Sequence, residues 1–376
     1  MSLIKDISIS IAAFVVACVL TLSSSSSSIG DYPNNILPYA LAEENDNNQS
    51  SSISILNKKG LDLLSSASYN EAIAYFDKIL AINSTDATAL NNKGLALNDL
   101  GNYTAAITYY DKSLAIRPND SSTLDNKGFA LYSLGKYNDA ISYYDKSLAI
   151  DPTDATVLNH KGLTLVDLGK YSDAISYFDK ALAIRPNYIT ALDNKAISLS
   201  QLGRDNEAIV YYDKAISIDP SNTKPLNGKG LALVNLGKYN DAISYFDKAL
   251  SIDPNDSVLL NDKGFALYSS GKYNEAISYY DKALEIRPNY ATALNNKALA
   301  LLKLEKPNEA ITYIDKALSI DPNDAESFNS KGVILANLGR YYEAIKYIDK
   351  ALSLRPNYAT ALDNKNKILD LLGKQR

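Results

Sequence analysis

The sequence has no tryptophan, and only one cysteine, one histidine and one methionine. One cysteine and one histidine fall short of a disulfide framework, a structural zinc site or an oriented Cys–His nucleophile. Positive charge is also short, with 38 Lys and Arg against 43 Asp and Glu and a net charge of −5. A chain without a basic field is not built to hold nucleic acid. No glycine-rich phosphate loop is present, and the carboxylates are spread along the chain rather than gathered into a pair. The nearest ionisable neighbour of His160 in sequence is Lys161, which makes it a surface or groove histidine rather than a catalytic one. The expectation is a chain that is not an enzyme and has no cofactor or metal site.

Long apolar runs are scarce too; there is one, residues 7–22, following Lys5. Its 16 residues are long for the core of a signal peptide and short for a full membrane span. Residues 1–22 therefore read as a signal peptide or an N-terminal membrane anchor, which leaves both cleavage and retention open. Ala40-Leu41-Ala42 has the small-x-small pattern of a signal-peptidase site but lies far from the apolar run. Val15-Val16-Ala17-Cys18 is similar to a lipoprotein lipobox, although apolar residues continue past Cys18; a lipid-facing cysteine is the alternative. Residues 23–52 are rich in Ser, Asn and Glu and cannot bury a core, so they read as a polar flexible linker. The expected location is extracellular, or membrane-anchored and facing outside. Sequons occur at Asn48, Asn83, Asn102, Asn119 and Asn255; export in a glycosylating organism would open them to modification, and chance in so Asn-rich a chain is the alternative.

Tyrosine is in excess, with 28 Tyr against 7 Phe, which points to one motif copied many times. Lys59-Gly60 returns as Lys93-Gly94, Lys127-Gly128, Lys161-Gly162, Lys229-Gly230, Lys263-Gly264 and Lys331-Gly332, always in steps that are multiples of 34 residues. Lys195-Ala196 and Lys297-Ala298 fill the gaps and Lys365 closes the series. Within the unit that starts at Ala87, Leu90, Gly94 and Leu97 share one helical stripe. Gly101 ends that helix. Tyr103, Ala106, Tyr110 and Ser113 then form the inward stripe of a second helix, which Pro118 stops. The small residues Gly94, Ala106 and Ser113 allow close helix approach. Each unit is thus an αα-hairpin.

A 34-residue helix–turn–helix with Gly94, Ala106, Tyr110, Ser113 and Pro118 in these places resembles the tetratricopeptide repeat. The resemblance covers nine repeats over residues 53–358, and residues 359–376 resemble the capping helix that closes such arrays. It implies an all-α fold, an α-solenoid of tandem hairpins forming a right-handed superhelix with a concave groove lined by the first helices. It also implies a protein or peptide partner. Ala67 replaces the turn glycine in the first repeat. In the eighth, Glu305-Lys306-Pro307 replaces the usual Leu-Gly-Lys-Tyr, and a local change of superhelical geometry is expected there.

Two polar columns fall on the expected groove face. One is Asn or Asp throughout and includes Asn91 and Asn295; the next carries Asn92, Asn126, Asn194 and Asn296. Asparagine is a poor residue for a helix interior, so its recurrence asks for a reason. One reading is an amide ladder that pairs with the backbone of an extended peptide. The other is that the first column bridges neighbouring hairpins while the second solvates the face. Leu95, Phe129, Leu163, Leu231 and Phe265 lie one turn on, as groove contacts or as packing between hairpins. Tyr132 and Tyr268 are the candidate exposed aromatics. Cations on these columns are limited to Lys58 and Lys224, too few for the carboxylate clamp that some members of this family use. The Lys59-to-Lys365 column should lay its stems on apolar surface and pair with the Asp of the recurring Asp-Lys.

The expected function is an exported or membrane-tethered scaffold that binds an extended peptide segment of a partner in its groove. The alternative is a structural array at the cell surface that self-associates as a homo-oligomer or assists assembly, without a peptide groove.

Overall fold

The computed structural model describes residues 47–373, which contain 19 α-helices and no strand. They form two units, divided between Ser198 and Leu199. Residues 47–198 hold α1 (Asn47–Ser65), α2 (Tyr69–Ile82), α3 (Ala87–Asp99), α4 (Tyr103–Ile116), α5 (Ser121–Ser133), α6 (Tyr137–Ile150), α7 (Ala155–Asp167), α8 (Tyr171–Ile184) and most of α9 (Ile189–Gln201). Residues 199–373 continue with α10 (Asp205–Ile218), α11 (Thr223–Asn235), α12 (Tyr239–Ile252), α13 (Ser257–Ser269), α14 (Tyr273–Ile286), α15 (Ala291–Lys303), α16 (Pro307–Ile320), α17 (Ala325–Asn337), α18 (Tyr341–Leu354) and α19 (Ala359–Gly373). Odd-numbered helices are the first helices of their hairpins, and each unit is an α-solenoid.

Helix α1 begins at Asn47, inside the stretch 23–52 expected to be a spacer. The Asn, Gln and Ser residues there include no proline or glycine, so nothing stops the helix from extending back by a turn and a half. Residues 50–52 are exposed and add no core. The apolar segment 7–22, the Cys18 motif and the rest of the spacer lie outside the described residues.

Each hairpin is fixed by local chemistry at three points. Asp86 starts α3 by accepting from the Ala89 N–H at 2.9 Å, and Asp120 does the same for Thr123. Gly101 adopts φ +76° after α3, so its N–H reaches the Asn98 carbonyl and the Asn102 N–H reaches that of Leu97, both at 2.8 Å. After the second helix the turn has two forms. With Asp before proline, the carboxylate accepts from the backbone two residues on, as Asp151 does from Thr153 and Asp321 from Asn323. With Arg there, Tyr can take the place of the capping Asp and the guanidinium lies over its ring. Arg185 on Tyr188, Arg287 on Tyr290 and Arg355 on Tyr358 are the instances.

The core of a hairpin is a ring laid on a backbone. Ala106, Tyr110 and Ser113 are buried on the inner face of α4. A Cβ on Gly94 would lie 2.6 Å from Tyr110 Cε1, well inside contact distance. Gly128 meets Tyr144 and Gly162 meets Phe178 in the same way. The hydroxyl of Ser113 donates to the Ala87 carbonyl at 2.8 Å, holding the end of α4 to the start of its own first helix. Each second helix also packs on the first helix of the next repeat. First helices touch one another along the stack, α1 with α3 and α3 with α5 in one unit, α11 with α13 and α13 with α15 in the other.

The eighth turn keeps the local backbone form of the others although it has no glycine. Glu305 takes φ +61°, its N–H reaches Leu302 O at 3.0 Å, and the Lys306 N–H reaches Leu301 O at 3.0 Å. Packing on both sides holds a non-glycine residue in the left-handed region, and Pro307 fits the first turn of α16.

Two outcomes are expected in unfolding followed by circular dichroism. Gly128→Leu and Ala174→Leu overpack their hairpins and lose about 1–3 kcal/mol or more. Glu305→Gly relieves the left-handed residue and gains about 1 kcal/mol.

Candidate functional site: the first-helix face

The two polar columns bond to each other. In residues 47–198, Asn92 Nδ2 donates to Asn57 Oδ1 at 3.0 Å, Asn126 to Asn91 at 3.1 Å, and Asn194 to Asn159 at 3.0 Å. Each donor lies 35 residues after its acceptor, so every bond ties a first helix to that of the preceding repeat. Residues 199–373 repeat the pattern with Asn296 on Asn261 at 3.0 Å and Asn364 on Asn329 at 3.1 Å. Bridging by the first column, one of the two readings open from sequence, is what the geometry contains. The second column supplies the other half of the bridge. A rung uses one N–H of the donor amide and one oxygen of the acceptor, and an asparagine has further capacity of both kinds.

Variant rungs show what the bridge requires. His160 stands where others have Asn, and its Nδ1 lies 2.9 Å from Asp125 Oδ1. His160 is therefore not isolated, as its sequence neighbours suggest, because the stack brings a carboxylate from 35 residues away. Burial works against the imidazolium, but Asp125 outweighs it and raises the histidine pKa. Phe129 and Tyr144 flank the ring, with centroids at 5.3 and 6.0 Å. Gly228 has no amide to offer. The Tyr212 ring occupies that space, 2.5 Å from where a Cβ would stand.

At Asp262 the rung runs backwards. Asn227 Nδ2 donates to Asp262 Oδ2 at 3.0 Å and Asn261 Nδ2 donates to Oδ1 at 3.2 Å. Asn227 Oδ1 is left buried without a hydrogen-bond partner. Asp262 is itself buried, and burial raises its pKa to about 7 despite both amides.

The candidate residues separate by exposure. Asn91, Asn126, Asn194 and Tyr132 are half-buried, as are Leu95, Phe129 and Leu163 beside them. Asn92, Asn295 and Asn296 are buried, and Asn295 Oδ1 has no hydrogen-bond partner. Tyr268 is 7% exposed and packs with Leu267, Tyr280 and Leu299, so it is not an exposed aromatic. Tyr132 is the one that keeps surface. It bonds Asp167 and lies 6.0 Å from Phe129 and 5.7 Å from Tyr137, centroid to centroid. Leu231 and Phe265 are buried in hairpin packing.

A second cross-repeat network was only half visible in the sequence. Lys93 Nζ lies 2.5 Å from Asp77 Oδ1 of the preceding second helix, and 4.4 Å from the centroid of Tyr109 in its own. Lys127 and Lys263 likewise pair with Asp111 and Asp247 and donate to the hydroxyls of Tyr143 and Tyr279. These lysines are nearly buried, whereas their Asp partners are about half exposed. Burial alone would favour loss of the proton; Asp and Tyr together reverse that and raise the Lys127 and Lys263 pKa values. The expected Asp pairing is present. The tyrosine was missed, although it recurs three residues before every lysine of the Asp-Lys pair from Lys78 to Lys350.

The tetratricopeptide repeat profile matches residues 85–153, 153–221 and 255–323, and a second profile of the same repeat matches 224–256 and 325–358. These segments make up more than half of the chain, which belongs to the tetratricopeptide repeat family. Proteins of this family bind protein or peptide partners and are generally not enzymes. No curated protein matches the chain. Among solved structures, a tetratricopeptide repeat protein from Parabacteroides merdae is 19% identical with a TM-score of 0.59, covering 66% of this chain and 98% of that one. The Cut9–Hcn1 hetero-tetramer of the APC/C is 17% identical with a TM-score of 0.55, covering 84% and 76%. Both are alike in fold.

Asp262→Asn should restore the ordinary rung, because Asn227 can then turn and accept. The native pKa of Asp262 lies above the usual carboxylate value, so its contribution is complete below about pH 4 and is lost as pH rises towards 7. The variant should thus raise the unfolding free energy measured in urea at pH 8 by about 1–3 kcal/mol if unfolding is cooperative, with the gain shrinking towards pH 5. An equal gain at both pH values would contradict this account.

Proposed function

We propose that the chain is an exported or membrane-tethered scaffold that captures an extended segment of a partner protein along its first-helix face. Family membership supports protein binding. The observation that carries the finer reading is the half-exposed strip in residues 47–198, where Asn91, Asn126 and Asn194 alternate with Leu95, Phe129, Tyr132 and Leu163. Amides with spare donors and acceptors suit a peptide backbone, and the apolar residues between them suit its side chains. The rungs hold those amides in fixed orientation, which lowers the entropy lost on binding. Because an extended chain exposes both backbone groups at every residue, such a face selects conformation before sequence.

Tethering rests on residues 7–22. Among the described residues no helix is long and apolar enough to cross a membrane. Fractionation and N-terminal sequencing of the mature protein test this part. A full-length chain in the cytosolic fraction would reject it.

Peptide capture is tested by placing a photocrosslinking residue at position 129 and identifying what it joins. Binding of that partner is then measured with Asn126→Ala plus Asn194→Ala, and separately with Phe129→Ala, each checked for native helicity. Capture should fall at least tenfold in both. Unchanged capture by well-folded variants rejects the face as the binding site.

A further inference from the structure

The turn edge of residues 199–373 carries an apolar residue at the end of every second helix, and most of these lie outside the hairpin core. At the last position of α12, α14, α16 and α18 stand Ile252, Ile286, Ile320 and Leu354, and at that of α10 stands Ile218, 39% exposed. Ile252 is 43% exposed, Ile286 45% and Leu354 37%, while Ile320 is half-buried. One exposed isoleucine is ordinary, but here the position is exposed in four repeats and half-buried against the core at Ile320.

Beside Ile218 stands Asp219, and beside the other four stand the charged residues that precede proline there: Asp253, Arg287, Asp321 and Arg355. All four keep capacity for an outside partner. Asp253 and Asp321 use Oδ1 on the turn N–H groups of Asn255 and Asn323. Arg287 and Arg355 lay the guanidinium face on Tyr290 and Tyr358, and Arg355 Nη1 also lies 3.4 Å from Glu326. The second carboxylate oxygens and most of the guanidinium N–H groups remain.

We infer that this edge is a self-association surface whose partner is a second copy of the chain, docked antiparallel about a two-fold axis between the seventh and eighth repeats. In that register Asp253 meets Arg355 of the other copy, Arg287 meets Asp321, and symmetry repeats both pairs. All four charge pairs are opposite, with the isoleucine stripes side by side. Among the registers of these turns, with Asp219 left over at the end, it is the one that gives four opposite pairs and no like pair. Sliding by one repeat towards the N-terminus puts Asp253 against Asp321 and Arg287 against itself. Sliding the other way puts Arg287 against Arg355 and Asp321 against itself. Like charges across an interface select against wrong alignments, so the order Asp, Arg, Asp, Arg both attracts the copy and sets its position. The near-alternation before proline, broken where Asp219 is followed by Asp253, has no role inside the hairpin beyond choosing a turn form and gains one here.

The surface is an edge, so it leaves the first-helix face open and does not depend on peptide capture. Sedimentation equilibrium of the full chain should show dimers that dissociate as salt is raised from 50 mM to 500 mM, about the range over which exposed pairs are screened. Arg287→Asp, which sets Asp against Asp321 twice in the dimer, should raise the dimer dissociation constant at least tenfold. Adding Asp321→Arg to it should restore the wild-type constant, because the swapped pairs are again opposite. The swap also controls for folding, since either single charge would be tolerated on an exposed turn. A monomer at all concentrations, a dimer indifferent to Arg287→Asp, or a double variant no better than the single one would each overturn the inference.

Discussion

When the ring of Tyr110 rests on the backbone of Gly94, the two helices of a hairpin come closer than any pair with a Cβ between them could. That approach decides where everything else in the repeat falls. It sets the depth at which Ala106 and Ser113 are buried and brings the Ser113 hydroxyl to the Ala87 carbonyl. It also turns the outer faces of both helices towards the neighbouring repeats. Copying the pair through Gly128 with Tyr144, Gly162 with Phe178 and Gly264 with Tyr280 copies that arrangement, and a solenoid follows from repetition alone.

Polar bonds then couple one repeat to the next. An amide rung joins successive first helices, and a lysine held between an aspartate and a tyrosine joins a first helix to the second helices on either side. Both networks place hydrogen-bonding groups in partly dry surroundings, where each needs its partner. Departures are met in different ways. His160 is met by Asp125, and the Tyr212 ring fills the space beside Gly228. Asp262 is held by two amides yet without a cation, and Ser330 in place of Asn leaves Asn295 Oδ1 without a hydrogen-bond partner.

The rungs change what the asparagine columns mean for function. Their recurrence is accounted for by bonds between repeats, so recurrence no longer argues for a ligand. What still argues for one is local: the strip where amide rungs and the apolar residues Leu95, Phe129, Tyr132 and Leu163 keep surface within residues 47–198. The edge of the other unit offers a different surface with a different logic, apolar contact flanked by ordered charge. A scaffold that uses a face for a partner and an edge for itself needs no conflict between the two.

How much could be read before the fold was seen differs by kind of interaction. Hairpin boundaries, caps and the close glycine contact depend on residues within one 34-residue period, so Gly94, Tyr110, Asp120 and Pro118 determined them in sequence. The family was legible for the same reason. Bonds between columns were not, because Asn92 and Asn57 are 35 residues apart and only stacking brings them together. His160 looked solitary, Tyr268 looked exposed and the turn at Glu305 looked like a departure from the other turns. Each was misjudged because its surroundings come from other helices. The sequence by itself determined the repeating unit, since local propensity, spacing and side-chain volume suffice for that. Only the tertiary structure decided which polar residues face one another and which remain free for a partner, because that is a matter of distance between hairpins, on which no single hairpin carries information.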